Sequence, residues 1–248
     1  MTASDERPGA PGTFYAVPEL AASYDAEFEG RPDLPFYVRL ARRLGARRVA
    51  DVGAGTGLLC SLLAGQGHEV VGVEPEETML EIARRQPNAS QVRLVHGTAK
   101  ALPSQWADLV VMTGHVAQYF LDDEAWLAVL VESRRALRPG GHVAFEIRNA
   151  ALEEWRRWPN PEPVPAMGGT LRSEVEQVGD LVTHTDHWVR GAREWTTRET
   201  LRFPSWHDVV RGLTASRLEV EQTWGDWGGE PVGDASPEWI VLARPAGD

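Results

Sequence analysis

Three sets of residues in this chain have types and spacings that could do chemistry. The first is the run Asp51-Val-Gly-Ala-Gly-Thr-Gly57, with glycines at 53, 55 and 57. Glycine lacks the Cβ that would keep a ligand away from the backbone. The free N–H groups at the start of the helical pattern Leu58–Ala64 favour polar or anionic ligand groups. The second is Glu74, 21 residues after Gly53. One strand–helix–strand unit places that distance between a loop and the end of the next strand. A carboxylate there accepts hydrogen bonds from both hydroxyls of a ribose. The third is His115, which follows the apolar run Trp106–Thr113 and Gly114. Imidazole accepts a proton near neutrality, so His115 is a candidate general base.

These residues need strands to aim them and helices to cover the strands. Arg48-Val-Ala50 reads as a strand before the glycine run, and His68–Glu74 as a second strand. Pro75 follows, then a helical pattern over Glu76–Ala83. Val92–His96 reads as a third strand, closed by Gly97-Thr98-Ala99, and Trp106–Thr113 as a fourth. A helix is expected over Asp123–Leu137. Asp122, Asp123 and Glu124 at its start and Arg134, Arg135 and Arg138 at its end suit the helix dipole. Arg138-Pro-Gly-Gly141 should stop it, and His142–Ile147 reads as a fifth strand. Strands alternating with helices predict an α/β fold with a parallel sheet. Thr170–Val178, Leu181–Val189 and Glu194–Phe203 alternate in hydropathy, with turn residues at Gly179-Asp180 and Gly191-Ala192. They predict an antiparallel β-meander inserted in that fold. A helix capped by Ser205 follows over Ser205–Ala215, then strands Leu218–Thr223 and Trp239–Arg244.

The glycine spacing is informative. A dinucleotide-binding turn reads G-x-G-x-x-G, and here Leu58 stands where its third glycine would be. The G-x-G-x-G run with Asp51 before it resembles motif I of the class I S-adenosylmethionine (SAM) methyltransferases. Gly72-Val-Glu-Pro-Glu-Glu-Thr-Met-Leu80 resembles motif II, and Leu137-Arg-Pro-Gly-Gly141 is a further hallmark of that family. The resemblance implies a Rossmann-like seven-stranded sheet, mostly parallel with an antiparallel last strand, and SAM as cofactor. It implies that Gly53, Ala54, Gly55 and Gly57 pass the methionine part of SAM. Asp51 would organise the loop and the ammonium end, and Glu74 would hold the ribose. Relatives carry Asp where this chain has Thr98, so Thr98 would accept from the adenine amino group and the Ala99 N–H would reach a ring nitrogen. Pro75, Met79, Thr113 and Gly114 complete the implied cofactor set. Tyr24–Tyr37 resembles the lid of relatives that methylate small molecules, which places Tyr24 near the methyl group or the carboxylate end. Amino-sugar N-methyltransferases carry a similar Gly-His pair after the fourth strand, which implies a catalytic His115. Tyr119 and His187 are weaker candidates, and Glu146 would bind an amine substrate or Arg148.

Composition bounds the alternatives. The 248 residues allow one α/β domain with an insertion, and 42% hydrophobic content supplies its core. The expected division is a flexible tail over 1–13, a helical lid over 14–45, a SAM-binding domain over 46–148 and 205–248, and a substrate-side insertion over 149–204. A net charge of −11 and a single lysine, Lys100, leave no basic face for nucleic acid. No apolar run is long enough to span a bilayer. The first dozen residues do not read as a signal peptide, so a cytoplasmic monomer or homodimer is expected. Cys60 is the sole cysteine, so neither a disulfide nor a zinc cluster is expected, and no metal. Eight of the ten tryptophans follow residue 150, among them Trp155, Trp158, Trp188 and Trp195 in the insertion. They either pack the meander or bind a ring or cation. The expected function is methyl transfer from SAM to N or O of a small-molecule acceptor by in-line displacement. The competing readings are an NAD-dependent oxidoreductase and a non-catalytic SAM-binding regulatory protein.

Overall fold

The computed structural model describes residues 12–247. The tail expected over 1–13 therefore falls almost wholly outside the described residues. Three helices open the chain: α1 (Pro18–Ala21), α2 (Tyr24–Glu27) and α3 (Asp33–Arg43). An alternating series follows: β1 (Arg48–Val52), α4 (Leu58–Ala64), β2 (Glu69–Glu74), α5 (Glu77–Ala83), β3 (Val92–His96), β4 (Ala107–Met112), α6 (Asp123–Ala136) and β5 (Leu137–Arg148). Four strands come next: β6 (Asn160–Ala166), β7 (Gly169–Val178), β8 (Leu181–Arg190) and β9 (Arg193–Arg202). Then α7 (Trp206–Ala215), β10 (Leu218–Trp224) and β11 (Glu238–Pro245) close the chain. Among the described residues no helix is long and apolar enough to cross a membrane.

The large sheet has seven strands in the order β10-β11-β5-β4-β1-β2-β3. The pairings β1–β2, β1–β4, β2–β3 and β4–β5 are parallel, and β11 runs antiparallel to both β5 and β10. Chain order reverses between β1 and β4. At such a switch point the connections leave in opposite directions and open a crevice at the carboxyl ends of the strands. Asp51, Glu74 and Thr113 all stand at those ends, so the topology gathers residues from three separate motifs.

The sheet is buried on both faces, as its apolar strands require. One face packs Met112, Phe145 and Ile147 against Trp126 and Leu130 of α6 and Leu213 of α7. The other packs Val49, Leu109 and Val111 against Tyr37 and Leu40 of α3 and Leu63 of α4. Burying each such side chain contributes about 1.5–3 kcal/mol. Ser205 and Asp208 form a reciprocal capping box at the start of α7.

Three boundaries differ from the sequence expectation. The sequence predicts a helix over Val38–Leu44 after the lid, but α3 starts at Asp33, because Pro35 lies in the first turn, where its missing N–H breaks no helical bond. Strand β5 starts at Leu137, so the Arg-Pro-Gly-Gly segment belongs to the strand. The insertion is a four-stranded sheet, β6-β7-β8-β9, with an extra strand where three were expected. That strand, Asn-Pro-Glu-Pro-Val-Pro-Ala, carries three prolines, which cannot donate to a ladder. It forms only because it is an edge strand, paired on one side to β7 with a break in register between Asn160 and Val164. Gly179 and Gly191, at φ +63° and +62°, make the two expected hairpin turns.

Gly57 shows how tightly the layers meet. It sits at φ +71°, and a Cβ there would lie 2.8 Å from that of Ala83 on α5. Gly57→Ala is expected to lower stability by about 1–3 kcal/mol through left-handed strain and overpacking. Urea unfolding, read as a lower midpoint at unchanged slope, checks this.

Candidate active site

The end of β2 holds the glycine loop. The N–H groups of Gly53 and Ala54 both donate to the Val73 carbonyl, at 2.9 and 3.0 Å. The Gly55 N–H donates to Oε2 of Glu74 at 2.8 Å, and the Glu76 N–H to Oε1 at 2.9 Å. Glu74 is 6% exposed, so this pair of bonds fixes a buried carboxylate with lone pairs to spare. Burial raises its pKa, against the pull of the two N–H donors. Gly53, at φ +72°, lies under Val116, whose Cγ2 would stand 2.6 Å from an added Cβ.

Asp51 lies beneath the loop, 1% exposed. Its Oδ2 accepts from the Cys60 thiol at 3.3 Å, and its Oδ1 has no partner. Burial is the chief cause that pushes this carboxyl up to about 7. An unpartnered buried oxygen is costly unless a ligand or water completes it.

A cavity of about 480 Å³ opens over the loop. This is the size of a small-molecule site. Gly53, Ala54, Gly55, Glu74, Pro75, Met79, Thr98, Ala99, Thr113 and Gly114 all line it. Tyr24 lines it as well, together with Thr13, Tyr15 and Tyr119. Sequence reasoning missed Tyr15, Val116 and Phe120, and the α6 residues Ala125, Ala128, Val129 and Glu132. The α6 set was readable: i, i+3, i+4, i+7 is one helix face. Tyr15 was not, because nothing local ties the chain start to this crevice.

The lid is fastened by ionic and polar bonds. Asp25 accepts from the Thr56 hydroxyl at 2.6 Å and from the Gln86 amide at 2.7 Å, which ties α2 to the glycine loop. Arg31 donates from Nε to both oxygens of Asp33, at 2.8 and 3.0 Å. Its guanidinium lies close over Gly114, 3.0 Å from where a Cβ would stand. The Tyr24 ring packs against Tyr15 and Phe28, at centroid distances of 6.0 and 4.8 Å. Burial raises the pKa of its hydroxyl.

Several expected residues stand elsewhere. His115 does not line the cavity. Its backbone is left-handed, at φ +63°, and its Nε2 faces Glu238 at 3.0 Å. Its own N–H donates to Glu146 at 2.8 Å. Glu146 is fully buried and also accepts from the Tyr37 hydroxyl, so it is absorbed in positioning this turn and does not meet Arg148. Arg148 donates instead to Gln118 at 3.0 Å and stacks on Trp158. His187 sits beside Thr196 at 3.2 Å, away from the cavity. Gly57 packs on α5, and Asp51 lies below the lining. The insertion tryptophans divide between two packed clusters: Trp155 and Trp158 with Phe203, and Trp188 and Trp195 with Phe14 and Leu20.

Comparison with known proteins agrees with this geometry. Residues 49–141 match the family described as a methyltransferase domain. An uncharacterized methyltransferase of Mycobacterium tuberculosis is 35% identical over 154 residues, 61% of this chain and 58% of that protein. The chain thus spans little more than half the length of the curated relative it matches. The structure of the CcbJ methyltransferase from Streptomyces caelestis superposes with a TM-score of 0.81 at 20% identity, over 95% of this chain and 99% of that one. The structure of SAM-bound CalS10, an amino pentose methyltransferase from Micromonospora echinaspora, gives 0.67 at 20% identity, over 89% and 96%. These structures share the fold. With a glycine loop and the buried Glu74 carboxylate gathered at the carboxyl end of the sheet, residues 49–141 form a methyltransferase domain, similar to those of the class I SAM-dependent methyltransferases.

Proposed function

We propose that this protein transfers a methyl group from SAM to a nitrogen or oxygen of a small-molecule acceptor, with an amine nitrogen preferred. One observation carries the reading: a single cavity joins the Glu74 carboxylate and glycine loop to the tyrosines Tyr15, Tyr24 and Tyr119. The residues fit the cofactor. Glu74 has free lone pairs for two ribose hydroxyls, and Gly53 and Gly55 present backbone where a side chain would intrude. The Asp51 oxygen without a donor suits a cationic amino group held above the loop. Thr98 is assigned to the adenine amino group and the Ala99 N–H to a ring nitrogen. When bound, SAM supplies a sulfonium methyl carbon open to in-line displacement.

The chain's own contribution is to hold the two reactants in line and keep water out. Leu34, Leu59, Val116 and Phe120 give the cavity apolar walls. Tyr24 and Tyr15 close the front from the N-terminal segment, and Asp25 keeps that segment tied to the loop. Tyrosine faces attract cations, and a net charge of −11 favours a cationic acceptor at long range. The amino pentose acceptor named for CalS10 supports the same preference. Leu58 lines the cavity where a dinucleotide-binding loop needs its third glycine, which weighs against NAD.

Radiolabelled SAM incubated with a panel of amino sugars, simple amines and hydroxylated analogues tests the reading. Label is expected on nitrogen; a panel without any labelled product defeats it. Glu74→Ala is expected to weaken SAM binding by about 1–3 kcal/mol in calorimetry, through loss of charge-assisted hydrogen bonds. Asp51 gives a pH prediction. Its carboxyl is raised in the folded protein, so between the ordinary carboxylate range and about pH 7 the folded state binds more protons than the unfolded chain. Its contribution to stability therefore falls as pH rises through that window. A bound ammonium favours the ionised form, so SAM binding should release a proton and tighten as pH rises toward 7. Calorimetry in buffers of different ionisation enthalpy reads that proton, and Asp51→Asn should abolish it.

A further inference from the structure

Beyond the cofactor site, a line of hydrogen-bonded groups leaves the tyrosine side of the cavity and runs into the insertion. The Tyr15 and Tyr119 hydroxyls are 2.8 Å apart, and both residues line the cavity. The Tyr119 hydroxyl donates to Oε2 of Glu199 on β9 at 3.3 Å. Tyr15 therefore donates to Tyr119, which leaves the lone pairs of the Tyr15 oxygen able to accept. Glu199 is 7% exposed, and its other oxygen accepts from the Phe14 N–H at 2.8 Å. On β8, Nε2 of His184 faces Oε2 of Glu199 at 3.4 Å, and its Nδ1 faces Asp186 at 3.2 Å. The cluster thus assembles from the N-terminal segment, the turn after β4 and two strands of the insertion.

A buried carboxylate is retained where a cation or strong donors hold it. Glu199 has both, and the ordered tyrosines point its charge at the acceptor. Resting on the reading of an amine acceptor, we propose that Tyr15, Tyr119 and Glu199 form the relay that takes the proton from the acceptor nitrogen, with His184 as the positioning residue that keeps Glu199 ionised. The acceptor's N–H bond breaks, and its electron pair stays on nitrogen as the nucleophilic lone pair. That proton bonds to the Tyr15 oxygen as Tyr15 passes its own to Tyr119 and Tyr119 passes its own to Glu199. Both tyrosines end unchanged, and Glu199 ends as the carboxylic acid, which returns the proton to water after product leaves. Burial alone would lower the pKa of His184, but its bonds to Asp186 and Glu199 raise it to about 9, so the ring is cationic at neutral pH. The relay supplies the acid–base function that the position of His115 beside Glu238 leaves open.

The groups that face Glu199 are His184 and Asp186 from β8, Tyr119 after β4 and Tyr15 from the chain start. Arg148 and Tyr24 lie near enough to act on Tyr119. The test uses the full chain with radiolabelled SAM and the amine panel from pH 6 to 10. Glu199→Gln keeps the acceptor for Phe14, and Tyr119→Phe keeps the ring. Each is expected to reduce kcat about 100-fold with SAM affinity by calorimetry within two-fold of the parent. His184→Gln is expected to lower kcat with SAM affinity unchanged, and His184→Arg, which keeps a cation beside Glu199, to recover most of it. A readout independent of turnover is the ¹⁵N NMR titration of His184. It should titrate near 9 in the parent and at least one unit lower in Glu199→Gln. An unchanged kcat and pH profile in Glu199→Gln, or a His184 titration indifferent to that substitution, overturns the relay and leaves methyl transfer standing. Label on hydroxyl oxygen alone overturns the amine reading, and the relay with it.

Discussion

The site depends on how the end of β2 grips the glycine loop. Two loop N–H groups converge on the Val73 carbonyl and a third on the Glu74 carboxylate. Those bonds satisfy backbone donors that would otherwise be orphaned above the sheet. They also bring a buried acid to the cavity wall in one fixed orientation. The loop conformation is open only to residues tolerant of φ near +70°, and Gly53 has Val116 directly over it. The same few ångströms therefore set the loop's shape, the orientation of the buried Glu74 carboxylate and the floor of the cavity.

The roof is made differently. It comes from segments remote in sequence, joined by side chains rather than by a ladder. Asp25 spans the glycine loop and the segment after α5 by way of Thr56 and Gln86. Phe14 and Leu20 pack on Trp188 of the insertion, and Gly12 bridges Thr197 on β9. The N-terminal segment is thus wedged between the insertion and the crevice. That arrangement carries Tyr15 and Tyr24 to the cavity and gives the tryptophans of the insertion a packing role.

Charge follows the same division. Beneath the loop, Asp51 and Glu146 are buried carboxyls pushed up by desolvation, and they face backbone, thiol or phenol rather than cations. On the insertion side, Glu199 and Asp186 bracket His184. Groups with displaced proton affinities cluster where an active site needs them. Here they lie on both sides of the tyrosine-lined opening.

Most of the fold was legible along the chain. Strands β1 to β5 and their helices alternate in apolar runs with local start and stop signals, and each reads from its own residues. The loop side of the cavity was legible for the same reason: Gly53, Gly55, Glu74 and Thr98 line it from strand ends, where short-range spacing dictates position. Strand β6 was hidden because its prolines speak against a ladder, and only an edge position beside β7 admits them. His115 was misplaced because the sequence reports that a residue follows β4 but not which way a left-handed turn swings its ring. The link from Tyr15 to Tyr119, Glu199 and His184 had no local signature at all. The sequence by itself determined the sheet, the loop and the methyl donor, because these rest on contacts within one βαβ unit. Only the tertiary structure decided the tyrosine side of the cavity, because its groups come from three distant segments and meet through packing that no spacing encodes.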